Sequence, residues 1–256
     1  MSPNSLAPVS QIEILRSDED SDTGLYTEET IPSFSPVIYI QSVHSPFASP
    51  LCVGINKFLK RTVDVIGSLI CIAAVLSWLT PLMAFVIKIN SKGPVFFLQK
   101  RHKKDGGIFT CIKFRSMYEN AGEVMQQEHF DHLVTPVGRF IRKYHIDELP
   151  QLINVLAGDM SLVGPRPYMI SENGNFEKLL KNYRFRHLVN PGITGLAQSE
   201  GFFGTTPDVE KMNERLQYDL HYVENWTLLL DARIMLNTLL ITAGLKKKKR
   251  VFEIED

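Results

Sequence analysis

Two adjacent carboxylates, Asp147 and Glu148, and an arginine set between two prolines, Arg166, bound the stretch DELPQLINVLAGDMSLVGPRP, residues 147–167. Pro165 fixes its own φ, and Pro167 pushes Arg166 out of the helical region into an extended conformation. The guanidinium therefore sits on a stiff loop suited to bidentate capture of a phosphate or carboxylate. Acid at one end and an anion receptor at the other point to a site that handles phosphate. A carboxylate attacking a phosphate meets like-charge repulsion on the order of 4 kcal/mol per close pair at a partly shielded site, so the chemistry needs a cation. Arg142 and Lys143 precede the dyad and Arg166 follows it. Mg2+ held by one or two carboxylates together with substrate phosphates would complete the neutralisation. An Asp-Glu pair by itself also fits a solvated surface. Pro150 adds context, because proline belongs in the first turn of a helix and places the pair near a helix N-terminus, where anions are favoured.

The elements that must hold these residues can be read outward from them. Net charge is zero over 256 residues, yet residues 1–50 carry seven acids and one base, and a run Lys246–Arg250 is wholly basic. Such blocks mark solvated tails or contacts with an oppositely charged partner. Residues 1–52 read as a disordered acidic leader rich in Ser and Pro, with Val37–Ile40 as a short strand or docking segment. The leader has neither the basic n-region nor the apolar h-region of a secretory signal. Three scattered cysteines, Cys52, Cys71 and Cys111, suggest a reducing compartment.

From Val65 to Ile87 there are 23 residues without a charge, long enough to cross a bilayer core of about 30 Å as one helix. Both flanks are basic (Lys57, Lys60 and Arg61 before, Lys88 and Lys92 after), and the positive-inside rule places both on the cytoplasmic side. Pro81 lies inside the run and favours a kink, with Ser77 and Thr80 near enough to satisfy freed carbonyls. Three readings follow: a re-entrant helix broken near Thr80-Pro81, a spanning helix, and a buried soluble helix. A β-hairpin is expected from Gly93–Gln99, a basic turn at Lys100–Lys104, and Ile108–Ile112. Helical patterns occupy about 118–130, 136–144, 150–157, 172–189 and 208–243. The stretch from Trp226 through Leu245 is apolar but interrupted by Asp231 and Arg233, which with the basic run behind it fits a helix lying on an anionic membrane surface.

Five motifs occur in order: KRTVDVIGSLICIA, KxxSKGPVFFLQKR, KFRSM at Lys113–Met117, the dyad stretch, and NPGITGLAQ at Asn190–Gln198. Over about residues 57–245 the chain resembles the bacterial sugar transferase family, the monotopic polyprenyl-phosphate phosphoglycosyl transferases. The resemblance implies a two-step transfer in which Asp147 attacks the β-phosphate of a UDP-sugar, releasing UMP, and polyprenyl phosphate then takes the phosphosugar. It implies Glu148 as metal-site or acid–base partner, Mg2+ as cofactor, and the re-entrant form of the membrane helix. Arg142 and Arg166 match family arginines expected at substrate phosphate, and Asp231 matches a late acidic residue. Ion pairing on the surface or within a helix competes for Arg142 and Asp231, and a loop salt bridge for Arg166. Lys113 and Arg115 are read as guides for phosphate, Asp159 and Gln198 as possible support, and His145 as incidental.

One departure stands out. Where many members have an arginine soon after the glutamine, this chain has Phe202 and Phe203, leaving Arg184, Arg186 or Lys211 as substitutes. The segment Glu210–Asp231 resembles members that transfer hexose 1-phosphate.

The expected fold class is α+β, predominantly helical: a re-entrant membrane helix, a small β-hairpin, and amphipathic interfacial helices around a compact catalytic domain. The expected boundaries are a leader 1–52, the membrane helix 53–92, a cytoplasmic-face catalytic domain 93–245 and a tail 246–256. The expected partners are a UDP-sugar, undecaprenyl phosphate and the bilayer of the bacterial inner membrane, with no nucleic acid. The same chemistry on an N-acetylated UDP-sugar, or a membrane-anchored interaction protein that is no longer catalytic, are the alternatives.

Overall fold

In the computed structural model, which describes residues 49–119, 133–202 and 208–245, the uncharged segment is the middle of a longer helix, α1, Gly54–Asn90. The leader through residue 48, most of the helical pattern at 118–130, Phe203 and the basic tail lie outside the described residues. One stripe of α1 faces the rest of the protein: Lys60, Asp64, Ser68, Leu76, Leu79, Met83 and Ile87 are buried. Phe58, Ile66, Leu69, Ile70, Trp78, Leu82, Phe85 and Ile89 on other faces are exposed. The buried stripe is thus polar in its first third and apolar beyond it.

The sequence led us to expect a break at Thr80-Pro81, and the helix instead carries through Pro81. Its irregularity is a π turn at Ile72–Leu76, directly before Ser77, whose carbonyl the proline ring crowds. A wide turn next to the proline takes up that steric conflict while the helix continues. Ser77 Oγ donates to the Ala73 carbonyl (2.8 Å) and Trp78 Nε1 to that of Ala74 (2.9 Å), so the loosened carbonyls keep partners.

Strands β1, Phe96–His102, and β2, Ile108–Phe114, form the antiparallel hairpin, with Phe96 opposite Phe114 and His102 opposite Ile108. The strand runs past the expected turn at Lys100, because the reversal is made by Asp105 (φ 57°) and Gly106 (φ 74°). Leu76, Leu79, Met83 and Ile87 of α1 pack around Phe114 and Ile141.

Helix α2, Pro136–Lys143, starts with Pro in its first turn and a Thr135 hydroxyl accepting from Gly138 N (2.9 Å). A Cβ at Gly138 would lie 1.8 Å from the Ser116 carbonyl, so only glycine lets α2 sit this close. After α2, His145 adopts a left-handed conformation (φ 56°) and turns the chain into a 3-10 turn, Ile146–Glu148, which carries the dyad. Helix α3, Gln151–Ala157, follows, with Pro150 as its N-cap residue, one place earlier than expected.

Strands β3, Ser161–Val163, and β4, Gly192–Thr194, pair in parallel. Any Cβ at Gly164, Gly192 or Gly195 would lie within 2.4 Å of a backbone atom, which explains the glycines of both motifs. Helix α4, Ile170–Leu179, ends before the expected 189, and Asn182 (φ 67°) leads into a 3-10 turn at Tyr183–Leu188. After a short helix α5, Leu196–Ser199, the single late helix expected at 208–243 is two: α6, Val209–Glu224, and α7, Leu228–Thr242. They part at Asn225–Thr227, where buried Trp226 turns inward and the Thr227 hydroxyl caps α7 by accepting from Leu230 N (3.0 Å). On α7, Asp231, Ile234 and Ile241 are buried while Leu228, Leu229, Leu236 and Leu239 are exposed.

Candidate active site

The 3-10 turn places Asp147 and Glu148 side by side, both buried, against the hairpin and the loop after β3. Glu148 Oε1 accepts from Lys113 Nζ (2.7 Å) and from Arg166 Nη2 (2.7 Å), and Oε2 accepts from Arg166 Nη1 (3.2 Å). Burial would raise the pKa of this carboxyl, but Arg166 and Lys113 outweigh it and hold the group well below the carboxylate range. Glu148 in turn raises the pKa of Arg166 above its ordinary value.

Asp147 is treated differently. It takes no hydrogen bond or ion pair among the described residues, and burial, reinforced by the Glu148 charge, pushes its pKa up to about 6. Lys113, Arg142 and Arg166 pull the other way. Two carboxylates one residue apart are therefore driven in opposite directions, the pattern that separates a reactive group from its support.

The loop that delivers Arg166 is pinned at each carbonyl. Gly192 N donates to Pro165 O (2.9 Å), Arg186 Nη2 to Arg166 O (2.6 Å), and Arg101 Nη1 to Pro167 O (2.6 Å). Arg186 is itself held by Asp219 (2.7 Å) and Tyr183 Oη (2.9 Å) in the protein interior. Burial and the nearby Arg166 charge lower the pKa of Arg101. A small cavity lies between Lys113, Glu148 and Arg166, and Arg101 and Gln151 also line it. Positive charge thus converges on Glu148, next to an Asp147 whose oxygens have no hydrogen bond among the described residues.

The sequence-expected residues divide into two groups. Asp147, Glu148, Lys113 and Arg166 come together. Arg142 joins them at the edge: its Nε donates to Ser116 Oγ (2.8 Å), while its outer nitrogens have no partner among the described residues and the side chain is exposed. Arg115 does not join them. It leaves the strand alternation because β2 ends at Phe114, and its guanidinium closes the end of α1 by donating to the Lys92 (2.6 Å) and Ser91 (2.8 Å) carbonyls. A Cβ at Gly93 would strike that guanidinium.

Asp159 pairs with Lys103 (2.6 Å) on the hairpin turn, and Gln198 is buried with its amide near the Ile193 carbonyl (3.4 Å). Asp231 bonds Lys60, Tyr222 and Trp226 instead of the dyad. Phe202 is buried with its ring 5.1 Å from that of Tyr218, so this aromatic packs against α6.

Sequence reading missed Arg101 and the Lys60–Asp64–Asp231 cluster. The i,i+4 spacing of Lys60 and Asp64 at the edge of the apolar segment was the available signal. Among the described residues no group of three or more His, Cys, Asp or Glu gathers as a metal site. The donor set that remains is Asp147, with uncommitted oxygens, and the less engaged Oε2 of Glu148. That suits a cation such as Mg2+, which takes one or two carboxylates and otherwise substrate phosphates and water.

The profile of the bacterial sugar transferase family matches residues 55–244. The chain belongs to that family. The match takes in α1, the hairpin, the dyad and α7, so both charge clusters fall inside it. Among curated relatives, a UDP-glucose:undecaprenyl-phosphate glucose-1-phosphate transferase of Klebsiella pneumoniae is 46% identical over 194 residues, covering 75% of this chain and 41% of the relative. A protein of the same name from Xanthomonas campestris pv. campestris is 47% identical over 174 residues (66% and 36%). A UDP-N-acetylgalactosamine-undecaprenyl-phosphate N-acetylgalactosaminephosphotransferase of Aeromonas hydrophila is 40% identical over 190 residues (72% and 44%). The chain spans under half the length of each of these three relatives.

Proposed function

We propose that this bacterial sugar transferase moves a hexose 1-phosphate from a UDP-sugar to undecaprenyl phosphate through a covalent intermediate on Asp147. The observation that carries this reading is the unbonded carboxylate of Asp147 beside a Glu148 locked by two cations. An Asp147 oxygen attacks the β-phosphorus of the UDP-sugar. The bond from that phosphorus to the bridging oxygen breaks, and UMP leaves with the electron pair. An oxygen of the lipid phosphate then attacks the same phosphorus and the Asp147 carboxylate is released, giving the polyprenyl diphosphate sugar. Splitting the transfer in this way is an established use of carboxylate nucleophiles.

Arg166, Lys113 and Arg142 supply positive charge where the phosphate oxygens gather, and the pinned loop keeps Arg166 from reorganising as charge develops. Glu148 works by holding Lys113 and Arg166 in place. Bound Mg2+, held by Asp147 and Glu148 Oε2 with the substrate phosphates, would add further charge neutralisation. A glucosyl or galactosyl donor fits the relatives' names best, and the N-acetylgalactosamine relative keeps an N-acetylated donor as the second reading.

The placement of α1 supports a re-entrant helix at the cytoplasmic face of the inner membrane. Its buried stripe touches the same domain from Lys60 to Ile87, and the remaining faces are apolar and exposed. A spanning helix would carry one end away from that domain into the opposite leaflet. A cysteine placed at Thr80 is expected to resist impermeant labelling from the periplasmic side, and efficient labelling there would reject this topology. Purified protein in lipid nanodiscs is expected to release UMP from one UDP-hexose of a panel, and the Asp147→Asn variant from none. Release by that variant would remove Asp147 from its role, and silence of the native protein toward the whole panel would favour a non-catalytic membrane protein.

A further inference from the structure

A second charge cluster lies where the membrane helix meets the domain. Lys60 Nζ is 2.8 Å from Asp231 Oδ2 and 3.3 Å from Asp64 Oδ1, and all three residues are buried, none more than 7% exposed. Asp64 also accepts from Ser161 Oγ (2.8 Å) and from Leu162 N (2.9 Å). Asp231 accepts from Trp226 Nε1 (3.1 Å). Tyr222 Oη lies 2.9 Å from both Asp231 Oδ1 and the Val163 carbonyl, one proton shared between two acceptors. Every residue of β3 is therefore touched by this cluster: Ser161 and Leu162 through Asp64, Val163 through Tyr222.

The strand β3 runs directly into Gly164, Pro165 and Arg166. Gly164 N donates to Thr194 O (2.9 Å) and Pro165 is rigid, so little slack separates β3 from the guanidinium that grips Glu148. Buried ion pairs are weak evidence for stability, since well-packed apolar residues often replace them without loss. Three buried charges gripping one three-residue strand are better explained by the position they impose.

We propose that Lys60, Asp64 and Asp231 form a strap through which the membrane helix sets the position of Arg166. They are positioning residues for phosphate capture, and α1 is part of the active-site assembly as well as its anchor. This inference rests on the reaction proposed above. A displacement of about 1 Å at a catalytic group is enough to cost about 10²-fold in rate, so a slack strap need not unfold anything to be felt.

The test uses the full chain in nanodiscs and three variants: Lys60→Met with Asp231→Asn, Arg166→Lys, and the two combined. The first keeps the net charge of the cluster at its original value and leaves Asp64 with its β3 donors. Amide hydrogen exchange is expected to rise in peptides covering Ser161–Tyr168 and to stay unchanged in α2. For UMP release, kcat/KM is expected to fall about 10- to 100-fold in the first variant. The combined variant is expected to be no worse than Arg166→Lys alone, because both act through one guanidinium.

Unchanged exchange at Ser161–Tyr168, or effects that multiply independently, would overturn the strap. Should the charge-balanced variant fail to fold, Ser161→Ala, which removes one donor to Asp64, carries the same comparison. If the native protein releases no UMP, the proposed reaction fails while the exchange measurement still decides the strap.

Discussion

The dyad and the strap are built from the same materials and end in opposite conditions. Each places two carboxylates beside lysine or arginine in the interior. In the strap both carboxylates are saturated: Asp64 has Lys60, Ser161 and Leu162 N, and Asp231 has Lys60, Trp226 and Tyr222. In the dyad only Glu148 is engaged, by Lys113 and Arg166, and Asp147 is left without a hydrogen bond among the described residues, its pKa pushed up to about 6 chiefly by burial. A charge in low dielectric is inert when its lone pairs are all occupied and reactive when one set is withheld. The two clusters differ by one unsatisfied carboxylate.

Removing that carboxylate gives the largest effect. Asp147→Asn is expected to lower UMP release by about 10⁴-fold or more, as loss of a nucleophile does. The same change is expected to stabilise the fold. Since the folded pKa lies above the ordinary 3.8, the contribution of this group to stability is greatest below that value and is lost as pH rises through about 6. Melting at pH 8 is thus expected to show the variant more stable by up to about 3 kcal/mol. Destabilisation at pH 8 would mean that Asp147 has partners after all, and the contrast with the strap would collapse.

Next comes Arg166→Lys, which keeps the charge and removes the two-pronged grip on Glu148. A fall of about 10²-fold in kcat/KM is expected, because lysine cannot reproduce the fork geometry. A smaller expected effect tests the strap side: Tyr222→Phe removes one buried hydrogen bond and is expected to cost about 1–3 kcal/mol in thermal or denaturant melting. The smallest concerns pH. Because attack needs the ionised form, kcat/KM for UMP release is expected to rise with pH through about 6. In Glu148→Gln the residual activity is expected to keep this limb but move it to lower pH by less than about one unit, since one repulsive charge is gone and two cations are freed. A limb that moves upward would show that Glu148 does not oppose the ionisation of Asp147.

That the dyad, Lys113 and Arg166 lie together was legible in the sequence because each sits in one of the motifs that carry the family resemblance. The place of Arg115 was not, since the alternation that pairs it with Lys113 stops when β2 ends at Phe114. Arg101 was assigned to a turn because strand length is set by where the reversal falls, and Asp105-Gly106 sets it later than the basic residues suggested. The strap escaped for a different reason. Lys60 reads naturally as a flank charge of a membrane segment, and its partner Asp231 lies in a helix far along the chain, so only tertiary packing joins them. Prediction of two separate late helices failed at Trp226, whose inward turn is fixed by Asp231 and not by any local breaker.

The π turn in α1 can also be seen as a phase correction. At about 100° per residue, the distance from Lys60 to Ile87 amounts to about seven and a half turns, which in a regular helix would put these two residues on opposite sides. A π turn accommodates about one extra residue in its turn, winding the second half back by about 100° and bringing charged and apolar halves of the stripe toward one face. Deleting a single residue from Ile72–Leu76 would make the helix regular and keep both docking faces in place, whereas regularising the turn with all its residues kept would rotate one of them away from the domain. The irregular turn is the rotational register of the membrane helix.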